Sequence, residues 1–227
     1  MKNDRPIIVY DFETDAPDPE KCNPVQLAAV PIDPETLEIL EDRIFSIDIK
    51  PNGIDKDEYF EQPKREDTIK WHAKNYGITY DEVVEKWRNG TNEKAAWKSF
   101  CTYAQGFKGT KKKGQYYTEP ISAGYNIIGY DAIIVEALCK RHKTKNPFSK
   151  LNKMDILDML FYWMSHLEEP SDFKFDTMRD FFGIPRKGIA HDAVTDVLEE
   201  AALLVRFLQF FRKQSSVAKF KGAFSNA

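Results

Sequence analysis

Asp11 and Glu13, in the stretch Asp11-Phe12-Glu13-Thr14, stand two residues apart at the end of the apolar run PIIVY. If that run is a strand, side chains at i and i+2 point to the same side. Two carboxylates there cost desolvation and mutual repulsion. A divalent cation relieves both, and an all-oxygen donor set suits Mg²⁺ or Mn²⁺. The plainer alternative is a pair of surface acids at a strand's end. A second group, Asn126, Tyr130 and Asp131, lies in NIIGYD. Asp131 either joins the acids or caps the helix that carries Ile133, Ile134, Ala137 and Leu138. The third group is His191 with Asp196, in AHDAVTDV. Five residues of helix turn about 500°, which leaves two such side chains about 140° apart. They converge only if His191 lies in a loop and Asp196 inside the helix that follows. A histidine exchanges protons near neutral pH, which suits a general base.

The elements needed to bring these groups together are present. PIIVYDFET reads as a buried strand. NPVQLAAVPIDPETLEILEDRIFSIDIKP reads as two further strands around a turn at Asp33-Pro34-Glu35-Thr36, giving an antiparallel meander. Three helical stretches follow: REDTIKWHAKN; TYDEVVEKWRNG, with a capping box at Thr79 and Glu82; and NEKAAWKSFCTYAQGF. KGTKKKGQYY, residues 108–117, is a basic loop with Tyr116 and Tyr117. It reads either as a nucleic-acid contact or as a solvated hairpin tip. PISAGYN is a strand and YDAIIVEALCKRH a helix. KMDILDMLFYWMSHL is an apolar helix with room for a short strand at its start, and FKFDTMRDFFGI is a short helix. Pro185 and Gly188 break the chain before His191. From Asp192 to about Phe211, Val194, Val197, Leu198, Ala201, Leu204, Val205 and Leu208 recur at helical spacing. The architecture expected is α/β: a mixed five-stranded sheet, an antiparallel meander plus parallel strands, flanked by helices.

Composition narrows the function classes. The chain has 227 residues and a formal charge of −3, which argues against a protein that wraps long nucleic acid through many phosphate contacts. Cys22, Cys101 and Cys139 form neither a zinc pattern nor a disulfide framework and fit a reducing compartment. The N-terminus carries no signal-peptide pattern and no apolar run reaches membrane-spanning length. A cytoplasmic enzyme is expected, in the host's cytoplasm if the chain is viral.

The three motifs, D-x-E-T, N-x₃-[F/Y]-D and H-x₄-D, occur in the order seen in the DEDDh, DnaQ-like 3′–5′ exonucleases of the ribonuclease H-like superfamily. The chain resembles that family at Asp11, Glu13 and Thr14; at Asn126, Tyr130 and Asp131; and at His191 and Asp196. PVQLAAV resembles the family's second strand, and EDTIKWHAKN resembles a segment of phage and bacterial members. The resemblance implies a ribonuclease H-like fold and two divalent ions, Mg²⁺ or Mn²⁺, held by Asp11, Glu13, Asp131 and Asp196. It implies His191 as the base that takes a proton from the attacking water. Phe12, Thr14, Asn126 and Tyr130 would hold the terminal nucleotide, although core packing is an equal reading of Phe12. Arg186 and Lys187 are candidates for phosphate contacts. Trp71, Trp87, Trp97 and Trp163 read as core, and His72, His142 and His166 as structural or exposed.

The expected activity is release of nucleoside 5′-monophosphates from single-stranded 3′ ends, DNA in preference to RNA. An exoribonuclease and a proofreading or tethering subunit are the alternatives. The exonuclease domain is expected over 1–213, with a helical insert over about 60–108 and a flexible tail over 214–227. In the tail, Gln214, Val217 and Phe220 have the spacing of sliding-clamp-binding peptides, so a clamp or polymerase is a candidate partner.

Overall fold

The computed structural model of the chain describes residues 5–109, 118–189 and 191–217. Its centre is β1 (Ile7–Thr14), flanked by antiparallel β2 (Pro24–Ile32), which pairs in turn with antiparallel β3 (Phe45–Lys50). On its other side β1 pairs in parallel with β5 (Ile121–Gly124), and β5 with β6 (Lys153–Asp155). These are the meander and the parallel strands that the sequence leads one to expect. A sixth strand, β4 (Thr91–Asn92), adds a two-residue parallel bridge to β3, so the order is β4-β3-β2-β1-β5-β6. Two residues are too few for a hydrophobic period to register, and β4 has no sequence signal of its own.

The helices are α1 (Arg65–Tyr76), α2 (Tyr80–Arg88), α3 (Glu93–Gln105), α4 (Asp131–His142), α5 (Ile156–Met164), α6 (Phe175–Phe181) and α7 (Ala193–Val217). α2 opens on the capping box of Thr79 and Glu82. α7 continues to Val217, past the expected end near Phe211, so Gln214 and Val217 are helical. Phe220 and most of the basic loop, residues 110–117, lie outside the described residues.

Strand alternation sorts β1 onto two cores. Ile7 and Val9 face one side with Ala28, Val30, Leu160, Val197 and Leu204, the core under α5 and α7. Ile8, Tyr10 and Phe12 face the other with Leu27, Trp97, Phe100, Ile134 and Leu138, under α3 and α4. Continuing the odd series, Asp11 and Glu13 come out on the α7 side. The insert has a third core of its own, where Ile69, Val83, Val84 and Trp87 pack against Val25 of β2.

The insert is fastened to the end of β1 by buried polar groups. Asp15, fully buried, accepts from Tyr59 Oη (2.8 Å), from the Asn23 N–H (2.8 Å) and from Asn23 Nδ2 (2.9 Å). It also pairs with Arg65, the first residue of α1, at 3.1 Å. His72 Nε2 donates to the Thr14 carbonyl at 3.0 Å. α1 is thus tied to the strand at its first residue and again near its end.

Candidate active site

β1 pairs with β5 only as far as Val9 opposite Ala123. β5 ends at Gly124, where a Cβ would lie 3.1 Å from the Tyr10 carbonyl, so the close strand approach favours glycine. Beyond that point the edge of β1 is open. The Phe12 N–H, unpaired by any strand on that side, donates to Asp131 Oδ1 at 3.0 Å. Asp131 is therefore no helix cap. Tyr130 occupies the cap position without a side-chain cap bond, and Asp131, the first residue of α4, reaches back across the sheet.

The opening is a cleft of about 620 Å³ lined by Asp11, Phe12, Glu13, Thr14, Asn126, Tyr130, Asp131, His191 and Asp196. The motif residues and the residues expected to hold the terminal nucleotide all line it. Asp196 lies in the first turn of α7 and His191 in the loop before it, in a left-handed conformation (φ 61°). Donor atoms of Glu13, His191 and Asp196 all lie within 4.8 Å of one another. Phe12 is divided between roles: it packs in the core and also lines the cleft. The Tyr130 hydroxyl lies 2.6 Å from Thr14 Oγ1, which donates to the Ala16 carbonyl at 2.9 Å. Asn126 has φ 57° in the β5–α4 loop.

The acids are electrostatically unsatisfied. Burial, then Asp131, pushes the Asp11 carboxyl well above the usual carboxylate range. Burial, then Asp11 and Asp196, does the same to Glu13. Burial pushes Asp131 up to about 7, against the Phe12 N–H that lowers it. Burial, then Asp11, pushes Asp196 up to about 8. His72, 4.0 Å from Glu13, does not offset this charge. Its Nε2 must keep a hydrogen to donate to a carbonyl, and burial lowers its pKa to about 4, so it is neutral. Burial also lowers the His191 pKa, with Arg186 adding to the effect and Asp176 opposing it. The donor set, oxygen-rich and crowded with like charge, fits divalent metal ions.

Three positioning residues are not among the motif residues. Gln26 is the buried polar position in PVQLAAV; its side chain donates to Asp192 Oδ1 and accepts from the Ala193 N–H, both at 3.1 Å, fixing the start of α7. A single amide in an otherwise apolar strand is a signal the sequence does carry. Asp155 caps α5 and accepts from the Asn126 and Ile128 N–H groups (3.1 and 2.9 Å), shaping the Asn126 loop. Glu200 is buried one turn beyond Asp196, accepts from the Tyr125 N–H at 3.2 Å, and has a raised pKa from burial and then Asp11. Its signal was an acid on the apolar face of a helix, at i+4 from Asp196.

Two expectations change. Arg186 pairs with Asp176 and Lys187 with Glu41, each at 2.7 Å, and neither is among the cleft's lining residues. Trp87 and Trp97 are core, but Trp71 is 42 % exposed in the cleft and Trp163 is 40 % exposed against Phe207, Phe210 and Phe211. Helical spacing places a side chain on a face without saying whether another element covers that face. His72 and His142 are structural, the latter bonded to Glu93 at 2.7 Å, and His166 is exposed.

No family model and no curated protein matches the chain. Solved structures do. The fold is similar to that of Escherichia coli exonuclease I in complex with a dT13 oligonucleotide (TM-score 0.61, 21 % identity, 92 % of this chain and 43 % of that one). It is similar to the zinc-bound form of the E. coli enzyme's complex with single-stranded DNA (TM-score 0.62, 20 % identity, 94 % and 43 %). It is also similar to cell-death related nuclease 4, CRN-4 (TM-score 0.63, 17 % identity, 91 % and 64 %). The chain spans less than half the length of exonuclease I. These likenesses define the fold class: a ribonuclease H-like α/β domain, the fold of exonucleases. No helix among the described residues is long and apolar enough to cross a membrane.

Proposed function

We propose that the chain is a metal-dependent 3′–5′ exonuclease that hydrolyses single-stranded nucleic acid, DNA in preference to RNA, to nucleoside 5′-monophosphates. The observation that carries this reading is the convergence of Asp11, Glu13, Asp131 and Asp196 with His191 in one cleft. Fold likeness to nucleases, one of them solved with bound single-stranded DNA and zinc, supports it. Asp11, Glu13, Asp131 and Asp196 would hold two Mg²⁺ or Mn²⁺ ions. Such ions, when bound, offset the buried negative charge and stabilise the attacking and leaving oxygens of an in-line displacement.

The chain's own groups do the rest. Asn126, Phe12, Thr14 and Tyr130 line the cleft where the terminal nucleotide would rest. His191, kept neutral by burial, offers an imidazole lone pair. As water attacks phosphorus, His191 takes the water's proton, and the 3′ oxygen released as the bond to the preceding nucleotide breaks takes a proton from solvent. The products are a nucleoside 5′-monophosphate and a strand with a new 3′ hydroxyl. We assign this activity to residues 1–213, with the helical insert over about 60–108 forming one wall of the cleft.

A digestion time course tests the reading. It uses 5′-labelled single-stranded DNA and matched RNA with Mg²⁺, Mn²⁺ or chelator, and Asp11→Ala as control. A metal-dependent ladder shortening from the 3′ end, absent in the variant, is the expected result, with DNA cut faster. Faster RNA cleavage would make the enzyme an exoribonuclease, internal cuts would make it an endonuclease, and no cleavage of either substrate would sink the reading.

A further inference from the structure

The catalytic motifs leave Trp71 without a role, yet it is a large aromatic side chain open to the cleft. Its ring centroid lies 4.3 Å from that of His191, with the planes tilted by 53°. Its other ring neighbour is His72, at 5.0 Å and edge-on. The two partners in the His191 contact are held very differently. Trp71 follows the turn of α1 from Arg65, bound to Asp15, and adjoins His72, bound to the Thr14 carbonyl. It is therefore fixed relative to Glu13, the residue before Thr14. His191 sits in a loop, in a backbone conformation that non-glycine residues adopt infrequently.

We infer that Trp71 is the positioning residue for His191: the insert supplies a rigid aromatic wall that holds the imidazole over the acids of the cleft. This rests on the exonuclease reading above, in which His191 is the base. A base on a loop samples orientations, and only those within hydrogen-bond reach of the attacking water are productive. A flat ring on a fixed helix removes many of the others without bonding to either imidazole nitrogen, so the nitrogens stay available. The insert thus reaches the catalytic machinery through this contact. Of its other aromatic residues, Trp87, Trp97, Phe100 and Phe107 are buried, and Phe60, Tyr76, Tyr80 and Tyr103 are half-buried.

The test is a double-mutant cycle on single-stranded DNA, with Trp71→Ala, Trp71→Phe, His191→Ala and the Trp71→Ala/His191→Ala pair. Trp71→Ala is expected to lower kcat by about 10- to 100-fold, the range set by misplacing a catalytic group. KM should stay within about twofold, because binding of substrate and transition state is affected only through the base. Trp71→Phe is expected to recover most of the rate. In the His191→Ala background, Trp71→Ala should cost nothing further. Oligonucleotide affinity in chelator, where no cleavage occurs, should be unchanged in Trp71→Ala. Proton NMR supplies a readout independent of activity. The chain has four histidines, so the His191 Cε1–H signal is identified by its loss in His191→Ala. The ring current of Trp71 should shift that signal, and Trp71→Ala should return it towards the value of a free imidazole.

A further loss of rate in the double variant, or weaker oligonucleotide binding by Trp71→Ala, would show that Trp71 acts on the nucleic acid directly and would overturn the inference. So would an unmoved His191 signal. Failure of the wild-type protein to shorten 3′ ends would instead overturn the activity itself, and the inference with it.

Discussion

In the presence of chelator, Asp196→Asn is expected to melt above the wild-type protein at neutral pH. Burial, then the Asp11 charge, carries the Asp196 carboxyl from 3.8 up to about 8. In the unfolded chain the group ionises near the lower value, so at pH 7 folding must bind a proton there. Each pH unit of that difference is worth about 1.4 kcal/mol, and roughly three units separate 3.8 from neutrality, giving about 4 kcal/mol against folding. Asp196 is partly open to the cleft, and water and local relaxation reduce the figure to about 2 kcal/mol. Asparagine fills nearly the same volume without the charge. For a domain of this size the gain corresponds to a rise in Tm of about 4–8 °C.

The pH dependence has a definite sign. A carboxyl whose folded pKa is raised binds more protons in the folded state, so stability falls as pH climbs through the interval from 3.8 to about 8. Wild-type Tm in chelator should therefore fall across that interval, and the variant's curve should be flatter. Adding Mn²⁺ should reverse the order. Ligand at about 100 times its Kd stabilises the wild type by about 2.7 kcal/mol, and Asp196→Asn should lose most of that response. Differential scanning calorimetry with and without metal reads both effects. If Asp196→Asn melts below the wild type in chelator, or the wild-type curve is flat, the acids are not repelling one another and the electrostatic account of the cleft fails.

Other outcomes follow from the same geometry. Asp15→Ala leaves Arg65 buried without its carboxylate and removes the acceptor shared by Tyr59 and Asn23; urea unfolding should show a loss of about 3–5 kcal/mol. Gly129→Ala places a Cβ 2.6 Å from Asn126 Oδ1, and displacing that amide should lower kcat/KM about tenfold while Tm changes little. Unchanged kinetics would remove Asn126 from the substrate site. Glu200→Gln keeps an acceptor for the Tyr125 N–H but removes a buried charge. Isothermal titration should find Mn²⁺ binding weakened about 10- to 100-fold, as for outer-sphere partners of metal ligands. Complete loss of binding would make Glu200 a ligand.

The site was more legible in the sequence than the surroundings that aim it. Asp11 and Glu13 could be placed on one side of a strand because side-chain alternation is local, and the structure keeps that alternation. His191 ahead of Asp196 followed from helix geometry and the breakers Pro185 and Gly188. Asp131 was ambiguous because a strand-to-helix junction offers the same residue as a cap or as a reach across the sheet. The deciding fact, the free Phe12 N–H, depends on where β5 stops beside β1. Glu200 and Asp155 were missed for a related reason: each serves a backbone N–H in a loop far away in sequence. Trp71 was misassigned because its helix has a buried side and an open one, and pattern alone does not show which groups a neighbouring loop will meet.

The cleft also has a temporal consequence, because its walls come from opposite ends of the chain. The ribosome delivers Asp11 and Glu13 first, and Asp196 nearly two hundred residues later. Until α7 docks on β1 and β2, the cleft lacks Asp196, and His191 is not held over Asp11 and Glu13. Contacts so distant in sequence cannot form until both segments have been synthesised, and their loop-closure cost slows folding. A half-made chain, or one cut short by a premature stop, would therefore lack a working cleft altogether rather than show weakened activity.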